Sequence, residues 1–277
     1  MYCDYHIHSD HSFDCYLPME DTVKEAIKTG LEEICFTDHV DYGRKIDRKG
    51  NESAEWLIEH KRELNVDYEK YFTEIETLQK KYAGQIVIRK GLELGVQVPY
   101  IPLYEEIVKR YPMDFILLSI HCIDNVPIYK RSSFEGTDHV EMHRKYYETM
   151  LECVRRFKDY SVLAHLDNIN RYDPRKAVPF DAVRDLVGKI LDEAIRDGKG
   201  IEVNSARERY GLTDLTPQRE ILKMYRDKGG KILSIGSDTH KLEHLALEID
   251  YTKEELKKLG FDSICTWNKG QYTYHPL

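Results

Sequence analysis

Seven short apolar runs punctuate an otherwise polar chain: Tyr2 to Ile7, Glu33 to Phe36, Ile86 to Leu94, Phe115 to Ile120, Ser161 to Ala164, Gly200 to Val203 and Lys231 to Ile235. Within them EEICF, DFILLSI and KILSI are continuously hydrophobic rather than alternating, which is the pattern of parallel strands covered on both faces. Between the runs, apolar residues fall at helical spacing. Met19 to Thr29 puts Val23, Ala26 and Ile27 on one face and is closed by Gly30, and Tyr68 to Tyr82 and Val140 to Phe157 are similarly amphipathic. Phe180 to Arg196 predicts another helix, ended near Gly198, and Pro217 opens one over Arg219 to Asp227 that stops at Gly229. The alternation predicts an α/β fold around a parallel sheet. Gly43 to Asn65 and Cys122 to Thr137 carry neither period and are expected as long loops, a common place for function in a compact chain. No long linker divides the sequence, so one domain is expected over residues 1–277.

Composition narrows the class. Apolar residues make up 41% and charged ones 32%, and no run approaches the roughly 18 apolar residues a bilayer span needs. The opening residues MYCDYHIHSD enter a strand with no basic-then-apolar leader, so the cytoplasm is the expected compartment. Cys3, Cys15, Cys35, Cys122, Cys153 and Cys265 form no CxxC pair and suit reduced thiols. A net charge of -8 and a pI near 5.9 disfavour a general nucleic-acid surface, which needs clustered Lys and Arg. A local basic pocket for one small phosphate stays open.

The chemistry lies where the strands stop. His6 and His8 close the first run, Asp38 and His39 the second, Glu93 the third, His121 the fourth, His165 the fifth, Asn204 the sixth, and Asp238 with His240 the seventh. When parallel strands close into a barrel, such residues converge on one mouth. Residues i and i+2 of a strand share a face, so the His-X-His pair can chelate one ion, and Asp238 with His240 repeats the spacing. Imidazoles mixed with carboxylates suit zinc, iron or manganese rather than magnesium or calcium. His11, His60, His139, His143, His244 and His275 are expected outside the ligand set, most of them at the surface.

The ordered motifs HIH at 6 to 8, TDH at 37 to 39, GLELG at 91 to 95, SIH at 119 to 121, AHLD at 164 to 167 and SDTH at 237 to 240 resemble those of the polymerase and histidinol phosphatase (PHP) superfamily over nearly the whole chain. The resemblance implies a distorted (β/α)7 barrel with its active site at the C-terminal ends of the strands and three divalent or mixed transition-metal ions (Zn, Mn or Fe). It implies that His6, His8, Glu93 and Asp238 hold one metal, with Glu93 bridging to a second held by His121 and His165, and that Asp14, His39 and His240 hold the third. Relatives often carry His at the position of Asp14. Asp38 is expected to support a ligating histidine from behind, or to take part in catalysis.

HLDNINRY at 165 to 172 and EVNSARERYGLTDLTP at 202 to 217 resemble the stand-alone histidinol-phosphate phosphatases of histidine biosynthesis. The implied phosphate-gripping arginines are Arg171 and Arg209, with Arg207 competing for the second role, and a guanidinium fork suits phosphate oxygens better than a lysine does. The implied reaction is hydrolysis of a small phosphate monoester such as L-histidinol phosphate by a metal-bridging hydroxide, so no side-chain nucleophile is expected. The acid that protonates the leaving group stays open between a metal-bound water and a carboxyl such as Asp14 or Asp38. Asp41, Tyr42, Asp124 and Asn125 are candidates for contacting the rest of the substrate. A second reading is a phosphoesterase acting on a nucleotide or short oligonucleotide. A third, a non-catalytic polymerase-associated module, would be expected in fusion with polymerase domains and with ligands missing.

Overall fold

A computed structural model describes residues 1–277. The seven apolar runs become seven parallel strands: β1 (Cys3–Ile7), β2 (Glu33–Phe36), β3 (Val87–Gly95), β4 (Phe115–Ser119), β5 (Val162–Leu163), β6 (Gly200–Asn204) and β7 (Leu233–Gly236). They pair in chain order, and a short segment, His39–Val40, also pairs with β3 so that His39 lies beside Glu93. The last strand meets the first through His8 N–H to Thr239 O (2.9 Å) and Thr239 N–H to His6 O (3.1 Å), which nearly closes a distorted (β/α)7 barrel. Asp4 reinforces this seam from inside β1. Its buried carboxylate accepts from the Ser237 N–H (2.9 Å), the Ser237 hydroxyl and the Ala246 N–H (3.0 Å).

The helices form where the sequence period places them. α1 (Met19–Lys28) buries Met19, Val23 and Ala26, carries Glu20 and Asp21 in its first turn and Lys28 in its last, and is stopped by Gly30 at φ +81°. α3 (Tyr68–Lys81) and α5 (His139–Arg156) begin on Asp67 and Asp138, whose side chains accept from Lys70 N (3.4 Å) and Glu141 N (2.9 Å). α7 (Arg184–Arg196) and α8 (Arg219–Asp227) complete the expected set, with one turn of 3-10 helix at Phe180–Ala182 before α7.

Four helices and two hairpins lie outside the sequence expectations. α2 (Ala54–Glu59) buries no residue and sits inside the segment expected as a loop; it is nucleated by the Ser53 cap rather than by packing. α4 (Ile101–Arg110) follows Pro99 and carries Pro102 in its first turn, and α9 (Ile249–Lys258) starts from Glu248 at φ +57°. The single turn α6 (Ile169–Tyr172) carries Arg171. A small hairpin, Cys122–Ile123 with Val126–Pro127, projects over the mouth. At the opposite end, β8 (Ser263–Asn268) and β9 (Gln271–Pro276) form a hairpin whose Trp267 packs on Phe115 and Tyr5, with ring centroids 4.7 and 5.6 Å away, and so plugs the barrel floor. One apolar cluster of 74 buried residues joins strands, helices and plug, so chemistry at the mouth rests on a continuous core. No helix is long and apolar enough to cross a membrane.

Candidate metal centre

Glu93 stands at the centre of the mouth, fully buried on β3, with imidazoles around both its oxygens. Oε2 lies 3.1 Å from His6 Nε2, 3.3 Å from His8 Nε2 and 3.1 Å from His39 Nδ1; Oε1 lies 3.1 Å from His121 Nε2 and 2.8 Å from His165 Nε2. Asp238 Oδ1 faces His8 Nε2 at 3.4 Å and His6 Nε2 at 3.7 Å. Asp14 Oδ2 faces His39 Nε2 at 3.5 Å and His240 Nε2 at 3.6 Å. All nine residues expected as ligands thus lie around one pocket, with contacts that cross the expected groups: His39 Nδ1 also faces Glu93, and His8 stacks between His39 and His240.

Two ligands that each sit about 2.1 Å from one ion are about 3.4 Å apart in a tetrahedron. Five of the nine separations, 3.3 to 3.7 Å, lie near that value, and the other four, 2.8 to 3.1 Å around Glu93, are at hydrogen-bond length. His6 Nε2 and His8 Nε2 approach to 3.1 Å with Glu93 Oε2 beside both, and His39 Nδ1 is buried without an aligned hydrogen-bond partner. Several lone pairs aimed at shared points are what cations satisfy, so the residues present fit a polynuclear metal site.

Partners behind the rings fix which nitrogen faces inward. His6 Nδ1 is held at 2.6 Å by Glu202 Oε1, and His121 Nδ1 at 2.7 Å by Asp41 Oδ1. His240 Nδ1 donates to the Asp238 carbonyl at 3.0 Å, and His8 Nδ1 lies 3.2 Å from Ser12 Oγ. Glu202 also takes the backbone N–H of His165 on Oε2 at 2.8 Å. His165 and Asp238 both adopt positive φ (+24° and +57°), a backbone state that costs energy and is held here by those bonds.

The electrostatics of the cluster keep its carboxylates ionised against burial. Burial works against ionising Glu93, yet His6, His39 and His121 outweigh it and hold the carboxyl well below its ordinary range. His6 and Arg171 do the same for Asp238, and His39 with His240 for Asp14, again against burial. His6 and His121 are held well above the ordinary imidazole value despite burial, by Glu202 and Glu93 in one case and Asp41 and Glu93 in the other.

The arginines flank this cluster. Arg171 is buried, donates from Nη1 to Asp238 Oδ2 (2.6 Å), lies over the Tyr210 ring at 4.6 Å, and keeps Nε and Nη2 without partners. Arg209 Nη2 donates to the carbonyls of Ser237 (2.6 Å) and Asp238 (3.0 Å), its Nη1 meets His244 Nδ1 at 2.9 Å, and its Nε is free. Both line a cavity of about 1050 Å³ that opens over Glu93. Arg207 turns away, pairing with Glu248 at 2.7 Å under Tyr251, so Arg209 is the arginine at the mouth.

Asp38 takes a different place from the expected one. Its oxygens accept from Ser9 N (2.8 Å) and Ser9 Oγ (3.0 Å) and touch no imidazole, so it pins the turn after His8 and does not reach the cavity. The carboxylates that hold imidazoles of the expected ligand set are Glu202, behind His6, and Asp41, behind His121. Glu202 had a signal in the sequence: an acid within the strand GIEVN has to be paired once buried. Asp41 lines the cavity but serves His121, whereas Tyr42 bonds Asp47 (2.6 Å), Asn125 meets Gln97 (3.3 Å) and Asp124 is exposed beside Lys145. Two histidines depart from the surface expectation: His143 is buried 3.5 Å from Asp173, and His244 lines the cavity. His11, expected outside the ligand set, pairs with Glu74 at 2.9 Å.

Known proteins resemble this chain in sequence and fold. The PHP domain family model matches residues 4–206. A histidinol-phosphatase of Lactococcus lactis subsp. lactis is 30% identical over 271 residues, covering 96% of this chain and 94% of the relative. A probable histidinol-phosphatase of Thermotoga maritima is 31% identical over 269 residues, covering 96% of each. The crystal structure of the Lactococcus lactis histidinol phosphate phosphatase, complexed with zinc, L-histidinol and phosphate, superposes with a TM-score of 0.85 at 28% identity and covers 98% of both chains. With the family model running through five of the six motifs at the mouth, this chain belongs to the PHP domain family.

Proposed function

We propose that this chain is a phosphoric monoester hydrolase that converts L-histidinol phosphate to L-histidinol and inorganic phosphate in histidine biosynthesis, using three divalent ions. The observation that carries it is the set of donor atoms at ligand-to-ligand spacing around Glu93, beside two arginines with unpartnered N–H groups. His6, His8, Glu93 and Asp238 would hold the first ion and Glu93, His121 and His165 the second; Asp14, which faces His39 and His240, would hold the third with them, and zinc, manganese or iron suits the donors. Bound ions supply an activated water at neutral pH and neutralise the phosphoryl oxygens.

The side chains do the rest. Arg171, fixed by Asp238 and Tyr210, and Arg209, held by His244 and two carbonyls, would grip the phosphate from the cavity wall. Tyr172 and Tyr210 wall the phosphate end and limit water there. Asp38 drops out as donor to the leaving oxygen because both its oxygens are engaged by Ser9. A complete donor set also speaks against a non-catalytic module. Six free, buried cysteines suit a reducing compartment, and we place the enzyme in the cytoplasm.

The test is phosphate release from histidinol phosphate beside nucleoside monophosphates and p-nitrophenyl phosphate, before and after chelation, with elemental analysis of the purified protein. Chelation should abolish turnover and added zinc or manganese should restore it. Strong preference for a nucleotide would reject the substrate, and activity that survives complete metal removal would reject the mechanism.

A further inference from the structure

The cavity above Glu93 has two chemically different halves. Four carboxylates line it, Asp14, Asp41, Glu93 and Asp238, and all four belong to the ligand cluster or to its histidine support. Beyond them the outer wall carries Arg44, Lys45, Arg62 and Lys241, and none of the four has a carboxylate oxygen within 4.0 Å. Lys45 is partly buried, its Nζ lies 3.7 Å from the centroid of Phe13 and donates to the Arg62 carbonyl, and no carboxylate oxygen lies within ion-pair distance of it. A half-buried ammonium held against an aromatic face with only a carbonyl for company is short of counter-charge, and burial pushes its amine below the ordinary lysine value although Asp41 and Asp14 pull the other way. The chain as a whole carries a net charge of -8, so this local excess of cations at the mouth runs against the rest of the molecule.

The volume permits a second group. About 1050 Å³ is at the top of the ordinary range for small-molecule sites and far exceeds one phosphate. Histidinol phosphate carries an ammonium and an imidazole beyond its phosphate, and neither uses four uncompensated cations.

We propose that the outer wall formed by Arg44, Lys45, Arg62 and Lys241 is a second anion subsite, and that the enzyme also hydrolyses phosphate monoesters bearing another phosphate or a carboxylate. This goes beyond the histidinol phosphate reading but rests on the same metal centre. The reaction balances as simple hydrolysis: the P–O ester bond breaks, water gives its oxygen to phosphorus, and a water proton ends on the released alcohol. The second anion stays on the alcohol product and only positions it.

The test compares matched pairs at low ionic strength: a sugar bisphosphate against the corresponding monophosphate, and phosphoglycolate against ethyl phosphate, with histidinol phosphate as reference. The doubly anionic member of each pair should show kcat/KM higher by roughly tenfold, the size that a few partly screened ion pairs supply. Lys45→Gln combined with Arg62→Gln should erase most of that preference, and Lys45→Arg combined with Arg62→Lys should keep it. Equal turnover of both members by the unaltered enzyme, or a preference that survives the glutamine pair, overturns the subsite while histidinol phosphate hydrolysis leaves the phosphatase reading intact. Failure to release phosphate from any of the compounds, histidinol phosphate included, overturns both.

Discussion

Replacing Glu202 by Gln separates ligand identity from ligand orientation, because Glu202 is outside the expected ligand set and yet bonds two histidines within it. Its Oε1 lies 2.6 Å from His6 Nδ1, and its Oε2 takes the His165 N–H at 2.8 Å and the Asn204 amide at 3.1 Å. A hydrogen bond to a charged group is worth about 1.5–3 kcal/mol against about 0.5–1.5 kcal/mol for a neutral one, so losing the charge costs about 1–2 kcal/mol. The new amide also turns an N–H against one existing donor. Either His6 moves its proton to Nε2 and gives up the inward lone pair, or the His165 N–H is left unpaired. The combined effect should weaken metal affinity and kcat/KM by about 10- to 100-fold, the range found for such supporting carboxylates. Metal content would be read by elemental analysis after dialysis against graded chelator, alongside kcat/KM for histidinol phosphate and a circular dichroism melt to confirm folding. If Glu202→Gln retains its ions and turns over within twofold of the unaltered enzyme, the idea that Glu202 sets the face of His6 is wrong.

Three further outcomes are expected. Gly95→Ala puts a Cβ 1.7 Å from Asp41 Oδ1 and 2.6 Å from His121 Nδ1, so it should break that pair and lower activity by about tenfold or more, with loss of about one metal equivalent per chain; full metal occupancy and full activity would contradict it. Arg171→Lys leaves a single ammonium to serve both Asp238 and phosphate, so the inhibition constant for inorganic phosphate should rise by about tenfold or more; an unchanged constant would remove Arg171 from the phosphate site. For chelator-treated protein, His6 and His121 sit above their ordinary 6.5, so their stabilisation is fully present below that pH and is lost as pH rises through the raised values. Asp14, Glu93 and Asp238 sit below the ordinary carboxylate range, so theirs is present above about 4 and is lost in strong acid. Calorimetry of the chelated protein should therefore show Tm falling from about pH 6.5 upward, and a Tm that climbs steadily through that interval would be inconsistent with these pairs.

Much of this was readable along the chain. The seven barrel strands announce themselves because both their faces are buried, which forces unbroken apolar runs, and each expected ligand follows such a run or sits within it, as Glu93 does. The plug hairpin was not readable: β8 is a strand because Trp267 has Tyr5 and Phe115 to pack on, and those lie more than 150 residues away in the chain. α2, which buries nothing, likewise leaves no apolar period to find.

The amino-acid sequence by itself determined the kinds of donor atoms and their order, since parallel strands of a barrel must end at one mouth. Tertiary structure alone decided which nitrogen of each ring faces the centre. That choice depends on acids far away in the sequence: Glu202 lies 196 residues from His6, and Asp41 lies 80 from His121. It decided the arginines too, because Arg207 and Arg209 differ by two positions, yet one meets Glu248 on the outer side and the other meets the carbonyls beside Asp238. Hydrogen bonds act over about 3 Å and depend on direction, so only the closed barrel brings these partners near enough to choose.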